Sequence, residues 1–184
     1  MSEFVPFQKI GRLSREIIVT EKIDGTNGVI EIGEDGSFQV GSRSRWLGAD
    51  GDNFGFGMWA LIHKDELIAG LGVGRHYGEW WGAGIQRRYG LKEKRWSLFN
   101  VSRWGETRPA CCHVVPVLWR GDFDTRAIYE TMQQLLQIGS AAAPGFMRPE
   151  GVVIYHAQAN VLFKKTFEND DAGKGRETIA PMNA

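Results

Sequence analysis

Short apolar runs separated by turn-forming residues constrain the fold of this chain more than any other feature. The runs 17–19 and 29–32 flank Asp24-Gly25, and Glu34-Asp35-Gly36 follows as a second turn signal. This spacing predicts three antiparallel strands, at residues 17–22, 29–32 and 38–40. Because the third strand would then end near the end of the first, we expect Arg43 to lie near Lys22.

The rest of the chain predicts further strands with helices placed irregularly among them. The expected strands cover residues 73–81, 96–101, 114–119, 152–155 and 161–163. A short helix is expected at 58–63. A longer helix, capped by Asp124 or Thr125, is expected to run through Leu136 and stop at Gly139. Strands that dominate without regular β-α alternation indicate the α+β class, with antiparallel β-sheets and flanking helices.

Length and charge set broad limits on function. The 184 residues suit a single domain over 1–184, with a polar tail from about residue 168. Lysine plus arginine and aspartate plus glutamate both total 22, so the chain lacks the basic excess typical of nucleic-acid binders. A local basic cluster remains, for which we predict a polyanion contact, with a solvated loop as the alternative. Its members are Arg87, Arg88, Lys92, Lys94 and Arg95.

Cysteine usage and hydropathy indicate the compartment. Cys111 and Cys112 are adjacent, which gives no disulfide framework and fits a reducing environment. Neither a signal peptide nor an apolar run of membrane-spanning length is apparent. We therefore expect a cytoplasmic protein, without a membrane partner, that acts as a monomer.

Charged residues stand at the ends of several predicted strands, where sheet packing alone would not place them. Lys22 precedes the first turn, and Glu79 lies within an aromatic strand. Glu150 directly precedes an apolar run, and Lys164 and Lys165 directly follow another. Taken singly, each is more simply an edge residue. Together they offer a lysine nucleophile, two carboxylates for hydroxyl or metal contacts, and cations for phosphate.

Familiar alternative sites are missing from the sequence. The chain has no phosphate-binding loop of the Gly-x-x-x-x-Gly-Lys type, no complete dinucleotide fingerprint and no Gly-x-Ser-x-Gly elbow. The histidines lack metal-site spacing among themselves and with the cysteines, so we interpret them as structural or surface residues. These are His63, His76, His113 and His156.

Six short motifs follow one another along the chain. They are Lys22-Ile23-Asp24-Gly25, Ser42-Arg43, Tyr77-Gly78-Glu79-Trp80-Trp81-Gly82, Trp96-Ser97-Leu98-Phe99-Asn100-Val101, Glu150-Gly151-Val152-Val153 and Leu162-Phe163-Lys164-Lys165-Thr166. Their order resembles the covalent nucleotidyltransferases, which comprise ATP-dependent RNA and DNA ligases and mRNA capping enzymes. Glu21 before the first motif and Thr26-Asn27 after it resemble the RNA ligase branch. Six elements in this order make a specific match, although Lys-x-Asp-Gly alone is weak.

The resemblance implies a covalent mechanism. Lys22 attacks the α-phosphate of ATP and forms a lysyl-AMP phosphoramide, and Lys164 meets the same phosphate. Glu150 is expected near a catalytic Mg²⁺ or Mn²⁺. The AMP then passes to a 5′-phosphate end of a nucleic acid, and a 3′-hydroxyl attacks that end, as in repair of broken strands.

The resemblance also implies how the nucleotide is held. Glu21 borders the adenine pocket, largely through its backbone, and Phe99 stacks on adenine. Glu79 holds a ribose hydroxyl, while Asn27 and Arg43 contact phosphate or ribose.

The chain departs from the family pattern in two ways. The fifth-motif lysines are commonly separated by one residue, whereas Lys164 and Lys165 are adjacent and point to opposite faces of a strand. We favour Lys164 for the pocket and keep Lys165 among the nucleotide-binding candidates, with Lys174 as a further possible cation. Fewer than twenty residues follow Thr166, so we expect no C-terminal OB barrel.

Several alternatives stay open at the level of sequence. A GTP-using capping-type enzyme, another nucleotidyltransferase and a catalytically silent nucleic-acid binding module share the same pattern. A purely structural antiparallel domain would require the motif order to be a coincidence. The residues do not distinguish RNA from DNA, nor nicked from single-stranded ends.

Overall fold

The computed structural model describes residues 3–7, 9–48, 51–168 and 170, and these form two β-sheets with helices on their outer faces. Sheet A contains β1 (Glu16–Lys22), β7 (Val117–Asp122), β8 (Gly151–His156) and β9 (Val161–Thr166) in the order β7-β1-β8-β9. Sheet B contains β2 (Thr26–Ile32), β3 (Phe38–Gly41), β4 (Gly74–Gly82), β5 (Lys94–Leu98) and β6 (His113–Val114) in the order β3-β2-β4-β5-β6. The helices are α1 (Phe56–Ile62), α2 (Lys64–Leu71) and α3 (Thr125–Ile138). The predicted α+β class, with antiparallel sheets and flanking helices, is confirmed.

The predicted hairpin between the first two strands is wrong. Strand β1 pairs with β7 and β8 in sheet A, whereas β2 pairs with β3 and β4 in sheet B. Asp24-Gly25 is therefore a crossing between sheets. A Cβ on Gly25 would lie 2.4 Å from the carbonyl oxygen of Trp80, so glycine here lets the crossing chain pass directly over β4. The predicted pairing of β2 with β3 is confirmed.

The other predicted elements are found with shifted ends. The strand expected at 96–101 stops at Leu98, and the strand expected at 114–119 is divided between β6 and β7. The helix expected at 58–63 begins at Phe56, and α2 follows it directly. Asp124 caps α3 by accepting a hydrogen bond from the Arg126 amide, and Gly139 ends the helix as predicted.

Sheet B packs its outer face against α1 and α2 through an aromatic cluster. Phe56 lies 5.5 Å, ring to ring, from both Trp80 and Trp96. Gly28 and Gly78 are register partners beneath these rings. A Cβ on Gly28 would meet the Phe56 ring at 2.5 Å, and one on Gly78 would meet the Trp96 indole nitrogen at 2.6 Å. Two glycines in facing strands therefore make room for the aromatic core.

Sheet A packs its outer face against α3. Ile17, Val19, Val152 and Ile154 form one cluster with Met132 and Leu135. Strand β1 is central in its sheet and buried on both faces, which accounts for its nearly continuous apolar sequence. The inner faces of the two sheets line a cleft. Among the described residues, the helices are too short or too polar to cross a bilayer.

Candidate active site

A cleft of about 860 Å³ lies between the inner faces of the two sheets. Sheet A contributes Thr20, Lys22 and Lys164 to its lining, and sheet B contributes Asn27 and Glu79. The volume falls within the range of small-molecule sites. One cavity is therefore lined by residues from distant parts of the sequence. Lysines lie on one wall, and a buried acid lies on the other.

Lys22 contacts Glu150 at one end of this cleft. The Lys22 Nζ lies 2.6 Å from the Glu150 Oε2, and the two side chains are 25% and 19% exposed. Lys22 is the last residue of β1 and is the register partner of Gly151 at the start of β8. The adjacent ends of two paired strands thus bring the predicted nucleophile and the predicted metal-binding acid into contact.

Gly151 fixes the position of Glu150. Its φ is +152°, and a Cβ there would lie 2.2 Å from the Lys165 carbonyl oxygen. The Glu150 carbonyl accepts a hydrogen bond from the Phe167 amide, which extends the pairing of β8 and β9 beyond the strand ends. Any side chain at position 151 would push β9 away and move Glu150.

Glu79 is a buried acid that is held by the start of β2. Its Oε1 accepts a hydrogen bond from the Gly25 amide and its Oε2 accepts one from Asn27 Nδ2, each at 3.0 Å. Asn27 is the register partner of Glu79, so the pair lies across two neighbouring strands. Burial raises the pKa of Glu79 to about 7, although nearby Lys22 acts in the opposite direction.

The two fifth-motif lysines have different surroundings. Lys164 is the register partner of Val153 and lines the cleft. Lys165 is the register partner of Val152, and its Nζ lies 2.8 Å from Asp170 Oδ2. The alternation of a strand therefore directs Lys164 to the cavity, as the sequence reasoning favoured, and ties Lys165 to the segment after β9.

Phe99 borders the cleft just beyond the end of β5. Its amide donates a hydrogen bond to the Tyr77 carbonyl, which fixes the backbone. The side chain is 40% exposed, so a large part of the ring surface is open to the cavity and solvent. An exposed aromatic face on a fixed backbone is suited to stacking on a base.

Glu21 lines the cleft, but its carboxylate is buried against the loop after α3. The residue is 1% exposed, and its Oε2 accepts a hydrogen bond from the Ala142 amide at 2.9 Å. Within the described part of the chain, Oε1 has no hydrogen-bond partner. Burial raises the pKa of this carboxyl group. The side chain thus anchors a loop, while the expected contact with adenine, largely through the Glu21 backbone, stays a prediction.

Arg43, like Lys165, is a predicted site residue that the fold does not bring to the cleft lining. The β3 ladder ends at Gly41, and the chain turns back so that Gly41 bridges to Trp46. Arg43 is exposed in this turn and is absent from the cavity lining. The hairpin on which its proximity to Lys22 rested is wrong, so a contact with nucleotide stays a prediction. Lys174 lies outside the described residues.

Sequence reasoning missed an arginine that ties the first motif to distant segments. Arg87 Nε donates to Asp24 Oδ2 at 3.0 Å, and its Nη1 donates to the Arg148 carbonyl at 3.3 Å. Its Nη2 lies 3.3 Å from Glu168 Oε2. A carboxylate such as Asp24 is expected to pair with a lysine or an arginine, but the sequence did not show which of these residues contacts it.

Other members of the basic cluster also make internal contacts. Lys94 donates to the Phe54 carbonyl at 2.6 Å, and Arg95 pairs with Glu93 at 2.5 Å. Arg88 and Lys92 are exposed. A polyanion contact by this cluster stays a prediction, with Arg88, Lys92 and Lys94 as its exposed residues.

The two-sheet fold matches solved structures of an RNA ligase. A mutant of Naegleria gruberi RNA ligase with ATP and Mn matches with a TM-score of 0.61 at 20% identity, over 83% of this chain and 50% of that chain. The same ligase with PPi matches with a TM-score of 0.60 at 18% identity, over 83% and 50%. A mutant with AMP and Mn matches with a TM-score of 0.59 at 17% identity, over 84% and 50%. The chain therefore spans about half the length of these structures.

The family follows from the sequence itself. The profile of the family described as RNA ligase matches residues 15–167. The chain belongs to the RNA ligase family. Comparison with curated proteins gives no match.

Proposed function

We propose that this chain is the adenylating domain of an ATP-dependent RNA ligase. The observation that carries the proposal is the placement of Lys22 in contact with Glu150, in a cleft that it shares with Glu79 and Lys164. A lysine held among fixed polar groups is a nucleophile in position, whereas a mobile surface lysine is not.

The first step forms a bond between Lys22 Nζ and the α-phosphorus of ATP and breaks the bond to pyrophosphate. Lys22 leaves Glu150 and passes a proton to solvent before it attacks, because only the neutral amine is nucleophilic. Lys164 lines the same cavity and stabilises the negative charge that grows on the phosphate oxygens. In this proposal Glu79 holds a ribose hydroxyl, Asn27 contacts phosphate or ribose, and Phe99 stacks on the base.

Glu150 fits a divalent cation better than Glu79 does. Both oxygens of Glu79 already accept hydrogen bonds, while the Glu150 carboxylate contacts Lys22 through Oε2. A carboxylate oxygen suits Mg²⁺ or Mn²⁺. Such an ion, when bound, neutralises charge on the phosphates and orients the leaving group.

The later steps return Lys22 to its starting state. An oxygen of an RNA 5′-phosphate attacks the phosphorus of lysyl-AMP, the phosphorus–nitrogen bond breaks and Lys22 regains a proton. The oxygen of a 3′-hydroxyl then bonds to the phosphorus of the activated 5′ end, the bond from that phosphorus to AMP breaks, and the hydroxyl proton passes to solvent. Membership of the RNA ligase family supports RNA as the substrate, and DNA is an outcome of the test.

Incubation with α-labelled ATP and Mg²⁺ or Mn²⁺, followed by a denaturing gel, tests the first step. We expect label on the wild type and none on Lys22→Ala. Lys22→Arg retains the positive charge beside Glu150 but lacks the amine, so it should also be unlabelled. Lys92→Ala, an exposed lysine outside the cleft lining, should be labelled like the wild type.

Three results would contradict the proposal. These are an unlabelled wild type, a labelled Lys22→Ala, and labelling by GTP in preference to ATP, which indicates a capping-type enzyme. Strong binding of nicked RNA without any label would indicate a silent binding module. Pre-adenylated protein offered nicked RNA, nicked DNA and hybrid duplexes then reports, by AMP discharge, which strand is sealed.

A further inference from the structure

A second cluster of ligating side chains lies outside the cleft. His63, Glu66 and Cys111 each offer one donor atom, and these three atoms lie within 4.8 Å of one another. The sequence gave no hint of this cluster, because the histidine and the cysteine are 48 positions apart and Glu66 belongs to no motif. The fold alone brings an imidazole, a carboxylate and a thiol together.

The cluster is held by two helices and a loop. His63 is the junction residue that ends α1 and precedes α2, and its ring packs 5.1 Å from that of Trp59. Glu66 lies in the first turn of α2. Its Oε1 accepts a hydrogen bond from the Cys111 amide at 2.7 Å, which fixes the carboxylate beside the thiol. Ring packing and a backbone hydrogen bond therefore hold the imidazole and the carboxylate in place before any ligand arrives.

The spacing suits a tetrahedral ion. Ligand distances of about 2.0–2.3 Å at tetrahedral angles place neighbouring donors about 3.3–3.8 Å apart. The His63 Nδ1 and Glu66 Oε2 are already 3.6 Å apart. The Cys111 thiol lies within 4.8 Å of the other donors, so a side-chain adjustment of about 1 Å would complete three corners of a tetrahedron.

We propose that His63, Glu66 and Cys111 bind a zinc-class divalent cation, with water as the fourth ligand. Imidazole and thiolate select borderline-soft ions such as Zn²⁺ or Co²⁺, in contrast to the oxygen donors of the cleft. Binding forms the metal–sulfur bond, and the Cys111 thiol proton passes to solvent without any change in oxidation state.

The site would join the α1–α2 junction to the loop that precedes β6. That loop follows residues 99–104, which border the cleft. The ion would thus brace one wall of the cavity from behind, without contact with the reacting atoms. The inference does not depend on the proposed ligase function and is tested without an activity assay.

Titration of the purified, reduced chain with Co²⁺ and Zn²⁺ tests the proposal. We expect a sulfur-to-cobalt charge-transfer band that saturates at one equivalent and is displaced by Zn²⁺. At Zn²⁺ concentrations 100 times the Kd, the folding equilibrium shifts about 100-fold. For a chain of this length that shift corresponds to a rise in Tm of roughly 5–11 °C. Cys111→Ser and His63→Gln should lose both effects.

Two variants serve as matched controls. Cys112→Ala removes the neighbouring thiol and leaves the three proposed donors, so it should keep the cobalt band. Glu150→Gln removes the carboxylate that contacts Lys22 and should also keep it. Absence of the band in folded wild type would overturn the proposal, as would its persistence in Cys111→Ser. Circular dichroism of each variant establishes that it is folded.

Discussion

A single residue of the site, Glu79, makes the stability of the protein depend on pH. Burial raises the pKa of Glu79 to about 7 from an ordinary value of 4.5. Between pH 4.5 and about pH 7, Glu79 is therefore protonated in the native protein but ionised in the unfolded chain. Folding therefore favours the protonated acid, and the contribution of Glu79 to stability falls as the pH rises through this window. A shift of this size corresponds to roughly 3 kcal/mol.

We predict that Glu79→Gln removes this pH dependence. The free energy of unfolding of the wild type, relative to the variant, should decrease between about pH 4.5 and pH 7 and level off above the native pKa. Urea unfolding at several pH values measures the difference. Glutamine keeps the size of the side chain and does not titrate, but it replaces one of the two oxygen acceptors with an NH2 group. The absolute stability of the variant can therefore change, and the comparison uses only the slope of stability against pH. Parallel pH profiles for the two proteins would show that Glu79 titrates normally.

Strand β9 shows how one element separates two adjacent lysines. Alternation directs Lys164 to the cleft, whereas Lys165 contacts Asp170. We predict that Lys164→Ala lowers the rate of labelling from α-labelled ATP by about 100-fold or more, the scale for loss of one group that stabilises transition-state charge. Single-turnover labelling at saturating ATP measures the rate.

The matched variant on the same strand is Lys165→Ala. It removes an identical side chain one position away, and we expect its labelling rate to stay within a few-fold of the wild type. A larger loss in Lys165→Ala than in Lys164→Ala would mean that the strand presents its other face to the phosphate.

At the same scale, periodicity predicted the strands but not their partners. The apolar runs of β1 and β2 were visible in the sequence, and so was the cap of α3 at Asp124 or Thr125. The hairpin between β1 and β2 failed because neither Asp24 nor Gly25 has the positive φ that a two-residue hairpin turn requires. Pairing of β1 with β8 joins residues about 130 positions apart, and no local signal encodes it.

The sequence predicted the site residues that belong to recognisable motifs. The motif residues Lys22, Glu79 and Lys164 were identified from their order and do line one cleft. Residues contributed by irregular segments were not, because contacts such as that between Arg87 and Asp24 depend on the packing of loops. Cys111 and His63 likewise meet only after the helices dock.

Arg87 connects the two halves of the whole molecule. It follows β4 of sheet B, while Asp24 lies in the crossing after β1, and Arg148 and Glu168 flank β8 and β9 of sheet A. The hydroxyl of Tyr89 accepts a hydrogen bond from the Asp24 amide at 2.8 Å, so a second side chain from the same loop holds the crossing. Together these contacts set the spacing of the two walls at the end of the cleft where Lys22 lies.

We predict that Arg87→Ala weakens both folding and adenylation. Arg87 and Asp24 are 24% and 27% exposed, and loss of a half-buried charged contact costs about 1–3 kcal/mol. The contact with Glu168, which is 71% exposed, contributes little. The Tm should fall by about 2–4 °C for each kcal/mol. Because Lys22 lies two residues before Asp24, a small displacement should slow labelling by about 10- to 100-fold.

A comparison of three variants separates positioning from simple loss of stability. Arg87→Lys retains the charge but not the fork that reaches Asp24 and the Arg148 carbonyl together, so it should recover stability more than labelling rate. Arg88→Ala changes the adjacent exposed arginine and should match the wild type in both. The contrary result is that Arg87→Ala, measured below its Tm, binds ATP and labels Lys22 at the wild-type rate. In that case the hydrophobic cores of the two sheets would set their spacing, and the contact between Arg87 and Asp24 would not contribute to it.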